Sequence, residues 1–164
     1  MNYLNGKFLA DANIKARNEG ITYPHQIKLH QGQIIYRFYD SSTVSNPMKA
    51  IHRPWWIEYE YFQKIKHFAL QHNYTFSYAA RLFTAILYEW SEVDSYIRCQ
   101  VKEPIIALKG RGKQVDSKGK DSRDLPTMTP MQSVLEIYQL YLPGFDGETS
   151  IADSAVTLLQ HQKI

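Results

Sequence analysis

The residue with the clearest chemical potential is Arg37, set in the run Gln33-Ile34-Ile35-Tyr36-Arg37-Phe38-Tyr39-Asp40. A guanidinium in the middle of an apolar stretch is costly unless an anion pairs with it. Its planar fork suits a carboxylate or a phosphate. Downstream, Trp55 and Trp56 stand side by side after Pro54, close to Tyr61. If that segment is a strand, the two tryptophans point to different faces, one to fill core and the other to a cleft or the surface. Near the C-terminal end, Glu136 and Gln139 offer a carboxylate and an amide three positions apart. Lys109, Arg111 and Lys113 form a basic run at the start of a polar segment, suited to contact an anionic substrate.

Other chemistries find no pattern. The six histidines, at 25, 30, 52, 67, 72 and 161, make no His-Glu-x-x-His arrangement, and a single cysteine offers no paired-cysteine set, so no metal site is expected. No Gly-x-Ser-x-Gly elbow is present, which leaves no pointer to a serine hydrolase. Gly110-Arg111-Gly112 precedes no evident helix and is not a phosphate-binding fingerprint. Cys99 has no partner for an internal disulfide.

The elements that must place these residues follow from periodicity. Residues 33–40 read as a strand, with Ile34, Tyr36 and Phe38 on one face and Ile35, Arg37 and Tyr39 on the other. Residues 8–17 read as a short helix closed by Gly20, and 21–31 as extended or looped. Tyr61, Phe62, Ile65, Phe68 and Ala69 fall at helical spacing. So do Ala79, Leu82, Phe83, Ile86, Leu87 and Trp90, behind a cap at Thr75 or Ser77. Residues 95–101 alternate, with Ile97, Cys99 and Val101 inward, so Cys99 reads as a small buried hydrophobe. Residues 105–108 form a second short strand, and 109–130 a long polar loop. Residues 133–142 read as one long strand, which puts Glu136 and Gln139 on opposite faces. The stretch from Ile151 to Leu159 is a short helix or an extended tail.

The chain has 164 residues with 44% hydrophobic and 13% aromatic content, enough to bury one core, and it reads as a single α+β domain over 1–164. The net charge of +3 does not by itself call for nucleic acid. No signal peptide and no membrane-spanning run is visible, so no membrane partner is expected. The expected setting is the cytoplasm, or delivery into a target cell without a cleaved signal.

The order of these features resembles the ADP-ribosyltransferase superfamily, in particular its small bacterial toxin domains carried by secretion systems. The resemblance runs over residues 30–145. It rests on the Tyr36-Arg37 strand, on Pro54-Trp55-Trp56-Ile57 leading into alanine- and aromatic-rich helices, on the strands at 96–101 and 105–108, and on a late strand ending in Leu142-Pro143-Gly144. It implies a split β-sandwich with helices between the first and later strands. It also implies NAD as co-substrate, with Arg37 as its anchor and Tyr36, Trp55, Trp56 and Tyr61 around the nicotinamide. Glu136 or Gln139 would then be the catalytic group beside the ribose. Lys109, Arg111 and Lys113 would face a macromolecular acceptor, protein or RNA, with hydrolysis of NAD as a close variant. A toxin would further imply an immunity protein. The family's Ser-Thr-Ser and Glu-x-Glu patterns are absent from the middle and late strands. The competing reading is a non-enzymatic, basic, aromatic-rich module that binds RNA or protein.

Overall fold

The computed structural model describes residues 2–164. A 3₁₀ turn at Gly6–Phe8 leads into α1 (Ala12–Glu19), and then β1 (Ile21–Leu29), β2 (Ile34–Tyr39) and α2 (Pro47–Ala50) follow. Next come β3 (Trp55–Glu58), α3 (Tyr59–His72), α4 (Phe76–Thr84), β4 (Ser95–Val101) and β5 (Ile105–Gly112). The chain closes with β6 (Val115–Asp116), β7 (Thr127–Met128), β8 (Tyr138–Tyr141), α5 (Ala152–Ala155) and β9 (Val156–Lys163). The expected α+β class holds.

Seven strands join in the order β1-β5-β8-β3-β2-β4-β9, with neighbours antiparallel, and β6 pairs with β7 apart from them. The centre is thin. The strand β3 meets β2 only at Ile35↔Glu58 and Tyr36↔Ile57, and meets β8 only at Trp55↔Tyr141 and Trp56↔Leu140. Beyond Tyr36, β2 continues along β4 as far as Tyr39↔Ser95. The two strands therefore part at Arg37, and the sheet is split there.

The alternation expected of β2 is realised. Tyr36 and Phe38 enter one core with α3 and α4, formed around Phe62, Ile65, Ala79 and Phe83. Ile35 and Tyr39 enter another core with Trp56, Ile97, Cys99, Leu140 and Phe145. A small third core sets Ala12 and Ala16 of α1 against Ile21, Leu108 and Tyr141. The cap on α4 is Thr75, whose side chain accepts from the Tyr78 amide. The C-terminal segment is both of the forms expected of it, a short helix followed by an edge strand.

The first helix spans Ala12–Glu19 instead of 8–17, and three further boundaries also differ from the sequence expectation. The helix α4 ends at Thr84, not near Trp90, because Ala85 turns left-handed at φ 52° and the Thr84 hydroxyl donates back to the Ala80 carbonyl at 2.6 Å. The late strand starts at Tyr138, since the Gln132 side chain occupies both the amide and the carbonyl of Ile137. The strand β5 runs on to Gly112, so Lys109 and Arg111 lie on a strand paired on both sides and not in a loop.

Cys99 is fully buried, and burial pushes its thiol up to about 12. A thiolate is the reactive form. The native protein at pH 8 is therefore expected to resist iodoacetamide over a period in which the denatured chain is fully alkylated. Mass spectrometry of the two samples checks this, and equal labelling would contradict it.

Candidate functional site

A cavity of ≈ 400 Å³ opens where β2 leaves β3. Arg37 lines it, and no carboxylate lies within ion-pairing distance of that guanidinium among the described residues. Its Nη1 donates to the Phe38 carbonyl at 2.8 Å, and its Nε is buried with no hydrogen-bond partner. Burial, reinforced by the nearby Arg53 charge, pushes Arg37 down to about 10, despite a weaker pull upward from Asp146. Arg53 does not share that isolation, since it pairs with Asp146 at 3.0 Å. The cavity thus holds a desolvated fork with no directly paired carboxylate, although the carboxylates of Glu19 and Asp40 also line it. A fork left unpaired in this way is suited to an anion.

Both tryptophans line the cavity, from opposite faces of β3 as alternation requires. Trp56 is buried edge-on to Phe145, and its indole N–H donates to the Arg53 carbonyl at 2.8 Å. Trp55 packs edge-on to Tyr141 and lies against Gly20, where a Cβ would stand 3.3 Å from the indole ring. Tyr36 reaches the wall, but its ring stacks on Phe62 with centroids 3.8 Å apart and serves the core.

Gln139 comes to the cavity from β8 and is only 8% exposed. Its Nε2 donates to the Thr84 carbonyl at 3.3 Å. A carbonyl only accepts, so this contact fixes which end of the amide faces Thr84 and leaves Oε1 as the free end. Gly112 makes room for the amide: a Cβ there would stand 2.7 Å from Nε2 and 3.0 Å from Pro130. Lys113 also lines the cavity, with no carboxylate partner among the described residues.

The other expected site residues gather elsewhere. Lys109 pairs with Glu58 at 2.7 Å and lies 5.0 Å from the Tyr61 ring and 5.4 Å from that of Tyr138. Burial pulls the Lys109 ammonium down, but Glu58 and Tyr61 outweigh it and hold it above its ordinary value. Glu136 is exposed, pairs with Arg111 and accepts from the Tyr138 hydroxyl at 2.6 Å. These contacts, Tyr138 before Arg111, hold its carboxyl below the usual range. Tyr61, Lys109, Arg111 and Glu136, with Glu58 completing two ion pairs, therefore form a charge-balanced cluster that does not line the cavity. Of the two catalytic candidates the structure brings only Gln139 there. The reason is local, because residues 132–136 turn instead of extending the strand.

Several lining residues carried no sequence signal. Asp40 lines the cavity with both oxygens engaged, one by Ser42 and one by the Glu92 amide at 2.8 Å. Burial draws its carboxyl upward, yet those hydrogen bonds prevail and hold it below the usual range. Thr84, Ala85, Ile86, Trp90 and Ser91 form one wall. The helical spacing of Ile86, Leu87 and Trp90 concealed that wall.

No protein-family model matches the chain, and no curated protein matches it. Among solved structures it is similar to one described as "Rhs1-CT in complex with cognate immunity protein RhsI1", at 11% sequence identity and a TM-score of 0.51. The match covers 94% of this chain and 96% of that one. The likeness shows a shared fold.

Proposed function

We propose that this chain is a toxin-type, NAD-dependent ADP-ribosyltransferase that modifies a macromolecule, protein or RNA, with NAD hydrolysis as the variant in which water is the acceptor. The observation that carries the reading is Arg37, a desolvated guanidinium without a carboxylate partner, facing a cavity at the split of the sheet. Three neighbouring strands supply residues of that cavity: the strand of Arg37, the tryptophan strand beside it, and the strand of Gln139 next to that. The pyrophosphate of NAD is the anion and Arg37 its anchor. Trp55 and Trp56 wall the site. The bond from nicotinamide to the ribose breaks, nicotinamide leaves with the electron pair, and the acceptor's nucleophile attacks the electron-poor sugar carbon. The free carbonyl oxygen of Gln139 offers partial negative charge to that carbon.

Fold likeness to a chain solved with its cognate immunity protein supports the toxin setting and an immunity partner for this chain. The binding-module reading rests on Arg37, Arg98, Lys109, Arg111 and Lys113 as phosphate contacts; of these Lys109 and Arg111 are paired with carboxylates, while Arg37, Arg98 and Lys113 have no such partner among the described residues.

The test is nicotinamide release from NAD by the purified chain, with and without cell extract as acceptor. Release that is present in the wild type and lost in Arg37→Ala supports the reading. No release under either condition, together with no NAD binding, overturns it.

A further inference from the structure

Trp90 is 51% exposed, lines the cavity, and makes no aromatic or cation contact among the described residues. A large half-exposed indole at a cavity edge is a ready stacking surface. Its surroundings show that this exposure is not the slack of a loose loop. The fully buried Arg81 donates to the Ile86 carbonyl at 3.0 Å and to the Ser91 carbonyl at 2.5 Å, so one guanidinium ties both ends of the segment. The same guanidinium lies 3.6 Å from the Tyr88 ring centroid, and that of Arg123 lies 4.3 Å away. Asp124 accepts from the Tyr88 and Glu89 amides at 2.8 and 2.9 Å. The Trp90 and Ser91 amides both donate to the Leu87 carbonyl. Every amide from 88 to 91 is thus engaged.

Two non-glycine residues in the left-handed region flank the segment, Ala85 at φ 52° and Val93 at φ 49°. For a β-branched valine that backbone is strained, and such strain gathers at ligand-binding and switch regions. The chain therefore spends hydrogen bonds and strain to hold rigid a loop whose one large, uncommitted side chain borders the anion-binding cavity.

We infer that Trp90 stacks against a ring of the nucleotide whose phosphates Arg37 receives, and that Arg81 keeps the indole in place before the ligand arrives. This rests on the reading of the cavity as an NAD site. The two rings of NAD, adenine and nicotinamide, present the same flat π-surface, and Trp90 serves one of them. A preformed platform avoids the entropy of ordering a side chain on binding.

Calorimetric titration of wild type, Trp90→Ala, Trp90→Leu and Trp90→Phe with NAD, AMP and nicotinamide mononucleotide tests this. Trp90→Ala and Trp90→Leu are expected to raise the Kd for NAD roughly tenfold or more. Trp90→Phe is expected to stay within about threefold, because it keeps a π-face. The mononucleotide whose binding weakens in parallel identifies the ring. Leucine preserves apolar volume, so its failure to restore affinity separates stacking from simple packing. Wild-type affinity in both Trp90→Ala and Trp90→Leu overturns the inference and leaves the NAD reading intact. A wild type that binds neither NAD nor either mononucleotide overturns both.

Discussion

Replacing Arg37 with methionine is expected to raise the melting temperature by a few degrees while reducing nicotinamide release by roughly 100-fold or more. The two effects share one cause. Arg37 is desolvated without a carboxylate partner, and its Nε has no acceptor. Its folded value, about 10, lies below the ordinary one, so the unfolded chain holds the proton more tightly. The cost of the buried charge is therefore present in full at every pH below about 10 and fades only above it. Methionine fills similar space without charge, and removing an uncompensated buried charge stabilises by on the order of 1 kcal/mol or more. Arg37→Lys keeps the charge but not the fork, so it is expected to recover little of the activity. Calorimetric unfolding beside the release assay decides. A lowered melting temperature in Arg37→Met would mean that the guanidinium is satisfied within the fold, which would remove the basis for an anion site.

The second large effect separates the two polar residues of the late segment. Gln139→Ala is expected to reduce nicotinamide release by roughly 10²–10³-fold, the range for loss of one preorganised polar group at a reacting centre. Glu136→Ala is expected to stay within about threefold. Gln139 lines the cavity, with Nε2 held by Thr84 and Oε1 free, whereas Glu136 is exposed and spends its carboxylate on Arg111 and Tyr138. Measured kcat for the two variants settles the matter, and the reverse ranking would place the reacting centre at the Tyr61–Lys109–Glu136 cluster instead of the cavity. An amide carries less charge than a carboxylate, so the wild-type rate itself is expected to be modest.

Part of the scaffold could be read from periodicity, most clearly where burial alternates along the strand, as in β4. The alternation of β2 and β4 put Arg37 and Cys99 on the correct faces, and the stripe through Ile65 and Phe68 found α3. The two adjacent tryptophans fall on opposite faces of β3, as neighbouring positions on a strand must. Failures came where side chains, not the backbone period, ended an element. Gln132 substitutes for a strand partner at Ile137, and Arg81 collects carbonyls that a longer α4 would have used. Both sets of contacts are local, five to ten residues apart, but they are polar, and neither leaves a trace in hydrophobic spacing. The basic run Lys109, Arg111 and Lys113 looked uniform, yet β5 ends at Gly112, and of the three only Lys113, beyond that end, lines the cavity.

The thinness of the sheet at β3 bears on how the molecule comes apart. Backbone pairing alone would make the two halves separable, since only two register pairs hold each side of that strand. The largest core runs straight across the join, however. It gathers Leu29, Ala107 and Leu140 from one half, Ile35, Ile97 and Val156 from the other, and Trp56 between them. Side-chain packing, more than the ladder, therefore joins the halves, and a single cooperative unfolding transition is expected. A cleft can then stand open at the seam in the resting molecule without acting as a hinge.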